Sequence, residues 1–258
     1  MTEQPTDWRR QWEHEPLYLE APAAEARTPR WRAQEELVRE RFGGFDGLRV
    51  VELGAGRGLN GLLYAQRGAR VTLVDNVELP LEQARRLFDA HRVEAEHAIA
   101  DVFDLPPSLR DRFDVSMSFG LCEHFLGERR LAVVRAHLEA LRPGGLALIG
   151  VPNRRDPVYR LWKGMLTRRG TWPLGTEEPF SARELAELAA RAGGNPLVPR
   201  FGSFAASFVD HGVNQALYKL GRRGLTPPQV SVPGLDRLFV AAPAREGRQA
   251  EILVYRIE

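Results

Sequence analysis

Residues 50–61 read VVELGAGRGLNG: a β-branched run that stops on Glu52 and Leu53, then glycines at positions 54, 56, 58 and 61. A glycine-rich turn directly after a strand receives one of three ligand types, a dinucleotide, a nucleoside triphosphate or a sulfonium nucleoside. The dinucleotide fingerprint needs a third glycine so that the following helix packs close to the strand; counted from Gly54 and Gly56, that position is Leu59. The phosphate loop of nucleotide hydrolases needs Gly-Lys-Ser/Thr, and none follows. What remains is Glu52, Gly54, Gly56 and Gly58 in the pattern E-x-G-x-G-x-G.

Outward from this turn, strand and helix signals alternate with short punctuation. Upstream, TPRWRAQEELVRERFGG (28–44) predicts a helix with Thr28 as N-cap, Pro29 at its first position and Gly43 as terminator. Downstream, GLNGLLYAQRG predicts a helix closing on Gly68, ARVTLVD a strand ending at Asp75, LPLEQARRLFDAH a helix, AEHAIA a short strand before Asp101, and RFDVSMSFG a fourth strand. GERRLAVVRAHLEALRPGG (127–145) predicts a helix with a Pro-Gly-Gly stop, and LALIGVPN a fifth strand. Strands alternating with helices imply right-handed crossovers, hence an α/β, doubly wound, mostly parallel sheet with helices on both faces. SARELAELAARAGG opens with a capping box, Ser181 and Glu184, and closes at Gly193. LDRLFVAAPA and AEILVYRIE are separated only by REGRQ, too short for a crossover, so an antiparallel C-terminal hairpin is expected.

The totals limit the partners. The 258 residues carry 36 Lys+Arg against 34 Asp+Glu, which leaves no global electrostatic case for nucleic acid, and no DNA partner is expected. Cys122 is the single cysteine, so there is no intrachain disulfide and no multi-cysteine metal site. The polar N-terminal residues show no signal-peptide core, and no apolar stretch approaches membrane-spanning length; a soluble, cytoplasmic protein is expected.

Four stations stand in register: Glu52 to Gly58, Asp75, Asp101, and LRPGG before the fifth strand. Over residues 45–153 the chain thereby resembles the class I S-adenosylmethionine-dependent methyltransferases. The resemblance implies a seven-stranded sheet with an antiparallel last strand, and S-adenosylmethionine as methyl donor. It brings the backbone at Gly54, Ala55 and Gly56 against the methionine part and ribose, with Glu52 ordering the loop. Asp75 would accept from both ribose hydroxyls with Asn76 near the adenine. Asp101 would accept from the adenine amino group while the Val102 amide meets a ring nitrogen, and Phe119 ends the fourth strand beside the cofactor. From the residues alone, Asp75 also reads as a helix N-cap and Asp101 as a turn aspartate.

In open α/β sheets the ligand lies beyond the carboxyl ends of the strands, so the acceptor belongs near SFGLCEHF (118–125). No Asn/Asp-Pro-Pro-Tyr motif stands there, which disfavours base methylation. LCEHF instead resembles the Glu-His element of small-molecule methyltransferases, including quinone-methylating enzymes. Some of those add an upstream glutamate and hold a divalent metal; that position here is Gly120, and no metal is expected. Glu123 and His124 are the candidate acceptor-facing residues. His124 reads either as the base for a hydroxyl acceptor or its orienting donor, or as a structural histidine closing the turn. Cys122 reads as a small buried filler.

Residues 1–44 are expected to form an arm and helix, loosely structured to about Arg30, with Trp8, Trp12 and Tyr18 as aromatic anchors. Residues 45–258 would form the main domain with an insertion at about 154–232. Within it, DPVYRLWKGMLTRRG puts Val158, Leu161, Trp162, Met165 and Leu166 on one helical face, and FAASFVDHGVNQALYKLGRRG is a second amphipathic stretch. Both read either as packing helices or as a lid over an apolar acceptor, resting on an anionic membrane surface through arginines. Methylation of a small organic acceptor, chiefly at oxygen, is the leading expectation. An RNA or protein methyltransferase, drawing on Arg154, Arg155, Arg168 and Arg169, and a non-catalytic cofactor-binding module are the alternatives.

Overall fold

The computed structural model describes residues 7–14, 19, 21–154, 156–172, 174–196, 208–209, 213 and 249–256. Three helices precede the sheet: α1 (Trp8–His14), α2 (Ala21–Glu25) and α3 (Pro29–Phe42). The chain then runs β1 (Arg49–Leu53), α4 (Leu59–Ala65), β2 (Arg70–Asp75), α5 (Glu78–Ala90), β3 (Glu96–Ile99), β4 (Phe113–Phe119), α6 (Glu128–Ala140) and β5 (Leu141–Pro152). After these come α7 (Pro157–Arg168), α8 (Ala182–Arg191), β6 (Gly194–Pro196) and β7 (Gln249–Arg256).

The first five strands form a parallel sheet in the order β3-β2-β1-β4-β5, with Val51 beside Thr72 on one side and Ser116 on the other. Beyond β5 the sheet carries β7, antiparallel to it, and then β6. Alternate residues of each central strand face opposite cores, as the two-residue period of a strand requires. Val50, Val115, Met117, Leu146 and Leu148 pack with Trp31, Leu62 and Phe88 of α3, α4 and α5. Ala147, Ile149 and Val151 pack with α6 and α8, and Val51 and Leu53 with Leu105, Leu109 and Ala136. Helices on both faces of a parallel sheet make the fold doubly wound.

The caps follow the local chemistry. Thr28 Oγ1 accepts from the Trp31 amide at 3.1 Å, and Gly43, at φ +79°, donates its N–H to the Arg39 carbonyl. Ser181 likewise caps α8 by accepting from the Glu184 amide at 3.1 Å. The expected box forms on that side, while the Glu184 carboxylate turns to Arg130 and Arg154 at 2.5 and 2.9 Å. An ion pair with a buried guanidinium outcompetes a second capping bond to the Ser181 amide.

Several expectations are corrected. The helix expected to stop at Pro143-Gly144-Gly145 ends slightly earlier, at Ala140, and Leu141 already pairs with Phe113. Arg142 precedes Pro143, and a residue before proline is driven out of the helical region. The arm is more ordered than expected: α1 and α2 are helical, although five to seven residues are too short to be helical alone, so tertiary contacts hold them. On α7 the buried residue is Tyr159, whereas Leu161 and Met165 of the expected apolar face are 72% and 39% exposed. The Tyr159 hydroxyl donates to Glu177, which turns that side of the helix inward. The expected strand at 235–244 and almost all of the second amphipathic stretch lie outside the described residues. No described helix is long and apolar enough to cross a membrane.

Candidate active site

Strand order reverses between β1 and β4, and in open α/β sheets ligands bind at the carboxyl ends of the strands that flank such a point. Residues 54–58 and 120–124 line it from the two sides. A methyl group on Gly54 would come within 2.7 Å of Leu121 Cδ1, so a side chain at 54 would close the gap between the loops. Gly56 is constrained twice, by φ +53° and by the Trp12 indole, 2.8 Å from where a β-carbon would stand.

Two buried carboxylates hold the loop. Glu52 Oε2 accepts from the Gly61 amide at 2.8 Å, pinning the first turn of α4 to β1, and burial pushes this carboxyl up to about 8. Asp75 Oδ2 accepts from the Gly56 amide and Oδ1 from the Val77 amide, both at 2.9 Å. Burial raises the Asp75 pKa, and these amides oppose the shift by stabilising the charged form. Asn76 is exposed beside it. The Asp75 carbonyl accepts from the Ala100 amide at 3.1 Å, which ties β2 to the turn carrying Asp101. Asp101, exposed, folds that turn by accepting from the Phe103 amide at 2.9 Å; the half-buried Val102 lies between them. Phe119, half-buried, ends β4 under the Arg30 guanidinium, 5.2 Å from its ring centroid. The fold thus brings Glu52, Gly54, Ala55, Gly56, Asp75, Asn76, Asp101, Val102 and Phe119 to one edge of the sheet.

After β4, Cys122–His124 form one 3-10 turn. Cys122 is fully buried, which pushes its thiol well above the usual range and leaves it a packing residue. His124 Nδ1 lies 2.8 Å from the Thr176 carbonyl, so Nδ1 carries the proton and Nε2 the lone pair; burial depresses its pKa. The Trp8 indole meets the His124 ring edge-on at 4.7 Å. Glu123 is 3% exposed, and its Oε2 has no hydrogen-bond partner. Burial, with the neighbouring Glu177 charge adding to it, pushes Glu123 up to about 8.

The sequence reading missed three groups here. Trp12 covers the glycine loop, with its carbonyl accepting from Gln83 at 3.3 Å and Arg57 over its ring. Arg30, paired with Glu25 at 2.5 Å, supplies a cation beside Phe119. Glu177 and Tyr159 come from beyond β5 to flank Glu123. The aromatic anchors of the arm were a signal for the first; nothing local marks the other two.

Residues 50–145 match a family model described as a methyltransferase domain. The chain is 30% identical to the ubiquinone biosynthesis O-methyltransferase of Aeromonas salmonicida over 47% of this chain and 50% of that protein. With the protein of the same name from Azotobacter vinelandii, the identity is 30% over 60% and 61%. The chain spans about half the length of the curated relatives it matches. Among solved structures, a putative sarcosine dimethylglycine methyltransferase from Galdieria sulphuraria has a similar fold, with TM-score 0.63, 17% identity and 97% of both chains covered. The Burkholderia thailandensis 1,6-didemethyltoxoflavin-N1-methyltransferase, bound to 1,6-didemethyltoxoflavin and S-adenosylhomocysteine, gives TM-score 0.56 and 17% identity over 98% of this chain and 83% of that one.

Proposed function

We propose that this chain, which carries a class I methyltransferase domain, transfers a methyl group from S-adenosylmethionine to a small organic acceptor, at oxygen. The observation that carries the reading is the Asp75 carboxylate docked on the Gly56 amide at the point where strand order reverses. One backbone turn and one acid then meet the same nucleoside.

In this reading the backbone at Gly54, Ala55 and Gly56 borders the methionine part, and Asp75 exchanges a loop contact for the ribose diol. Asn76, Asp101 and the Val102 amide serve the adenine, and Phe119 borders the cofactor from β4. Glu52 acts through Gly61 rather than by contact. Arg30 is the cation suited to the methionine carboxylate. The arm through residue 44 caps the cofactor edge, and the insertion at about 154–232 supplies the acceptor wall. A hairpin of 235–244 with 249–256 would complete the sheet. The ubiquinone O-methyltransferase relatives support oxygen as the acceptor atom. The exposed Leu161 and Met165, with Arg160 in the first turn of α7 and Arg168 and Arg169 at its C-terminal end, support contact with an apolar acceptor or an anionic membrane surface. Arg154 is engaged with Glu184 and the Pro179 carbonyl, which weakens the RNA reading.

The sulfonium arrives already activated, so the protein's task is alignment and proton removal. Thermal unfolding tests the cofactor claim: at a hundredfold excess over Kd, S-adenosylmethionine or S-adenosylhomocysteine raises the midpoint by about 5 °C or more. An unmoved midpoint at millimolar ligand contradicts it.

A further inference from the structure

Glu123 buries a carboxyl in the turn after β4. Its Oε2 has no hydrogen-bond partner, while its backbone carbonyl accepts from the Glu178 amide at 2.8 Å. An unsatisfied buried carboxyl oxygen is costly, and such groups persist where chemistry uses them. Its surroundings point to a ligand. A β-carbon on the exposed Gly120 would find only Glu123 Oε1 within 4 Å, at 3.6 Å, so the carboxyl lies behind a glycine that opens at the end of β4. Behind Glu123, the buried Glu177 accepts a hydrogen bond from the buried Tyr159 hydroxyl.

On the methyltransferase reading, we infer that Glu123 is the catalytic base, taking the proton from the hydroxyl of the acceptor, and that Glu177 and Tyr159 are positioning residues that set its proton affinity. As the acceptor oxygen forms its bond to the methyl carbon, the carbon–sulfur bond breaks and its electron pair stays on sulfur. The O–H electrons remain on the acceptor oxygen, and the proton passes to the Glu123 carboxylate. The products are the methyl ether, S-adenosylhomocysteine and a protonated Glu123, which later returns its proton to solvent. No oxidant or further reactant is needed.

The charged and titratable groups around Glu123 fix the direction of its response. Glu177 disfavours a second negative charge, and the neutral Tyr159 hydroxyl favours the charged form of Glu177 by donating to it; Arg130 on α6 and Lys163 on α7 favour the charge on Glu123; His124 and Cys122 share its turn. His124 is a poorer base, because burial lowers its pKa and the Trp8 indole meets its ring edge-on at 4.7 Å.

Two measurements on the full chain test this. In protein labelled with carboxyl-¹³C glutamate and saturated with S-adenosylhomocysteine, one resonance, absent in Glu123→Gln, titrates near pH 8. It moves to lower pH in Glu177→Gln. A Glu123 that titrates in the ordinary carboxylate range, unmoved by Glu177→Gln, overturns the pair. Second, the small-molecule fraction of a cell extract is labelled with methyl-¹⁴C S-adenosylmethionine. Glu123→Gln lowers kcat about 100-fold or more while its S-adenosylhomocysteine affinity stays within about twofold. In Glu177→Gln the acid limb of kcat/KM shifts down without comparable loss of the plateau. Wild-type turnover in Glu123→Gln overturns the role. If the wild type labels nothing, the methyltransferase reading fails, and the base assignment built on it falls too; the titration still reports separately whether the carboxyls are coupled.

Discussion

The Asp75 carboxylate, at the end of β2, accepts from the Gly56 amide in the loop after β1 at 2.9 Å. Two features separated in the sequence are thus one device, since the acid that would hold a ribose also sets the loop that would face it. Asp75→Asn keeps the shape but turns an amide N–H toward one of two backbone donors. With a charge-assisted bond worth about 1.5–3 kcal/mol, calorimetric S-adenosylhomocysteine affinity drops about 10- to 100-fold. Unchanged affinity would separate Asp75 from the ligand.

Trp12 and Gly56 supply a second test. Gly56→Ala meets the indole at 2.8 Å as well as an unfavourable φ of +53°. Trp12→Ala removes the first penalty and leaves the second. The double variant is therefore less destabilised than the sum of the singles, by about 1 kcal/mol in denaturant unfolding. Strict additivity would mean that α1 does not lie over the loop in solution.

Arg130 joins the acceptor turn to the insertion. Its side chain, 6% exposed, donates to the Phe125 carbonyl and the Glu178 carbonyl at 2.6 Å and to Glu184 at 2.5 Å, and it lies over the Phe180 ring. Arg130→Ala strands these acceptors and costs about 3 kcal/mol or more by urea unfolding. A loss within 0.5 kcal/mol, the range of about ±0.5 kcal/mol expected of surface changes, would refute the anchoring.

His137 gives a pH test. Its ring nitrogens lie 2.7 and 2.9 Å from the Ser116 and Ser118 hydroxyls, and full burial holds its pKa down to about 3. The folded state therefore excludes a proton that the unfolded chain binds below its ordinary value near 6.5. Its stabilising contribution is complete above that pH and is lost as pH falls toward 3. Glu52 and Glu123, raised to about 8, act oppositely: their contribution is present below about 4.5 and lost as pH rises through 8. Comparison with His137→Gln isolates the histidine, and the stability difference shrinks by about 2 kcal/mol between pH 7 and pH 5. A constant difference contradicts a neutral buried ring.

The glycine-loop edge was legible because its signals are local. A glycine loop needs positive φ where Gly54 and Gly56 stand, and an acid at the end of a parallel strand reaches the next loop wherever Asp75 occurs. The boundaries marked by Thr28 and Gly43 were legible for the same reason. What depends on distant packing was not. Arg30 reads like any other arginine of a helical segment until α3 carries it over Phe119. Glu177 and Tyr159 lie in a segment whose expected apolar face was assigned to Leu161 and Met165, because helical periodicity cannot register one buried hydroxyl bonded to one buried acid. The Glu123 and His124 pair was found by resemblance, but their different environments come from Thr176, Glu177 and Trp8, all remote in sequence.

The central claim is methyl transfer to a small molecule, and the most direct measurement is transfer of a labelled methyl group from S-adenosylmethionine to cell extract separated into small-molecule, RNA and protein fractions. Label enters the small-molecule fraction with the wild-type chain and falls at least tenfold with Asp75→Asn at subsaturating cofactor. Label confined to RNA or protein, or no transfer by folded protein that binds the cofactor, would contradict it.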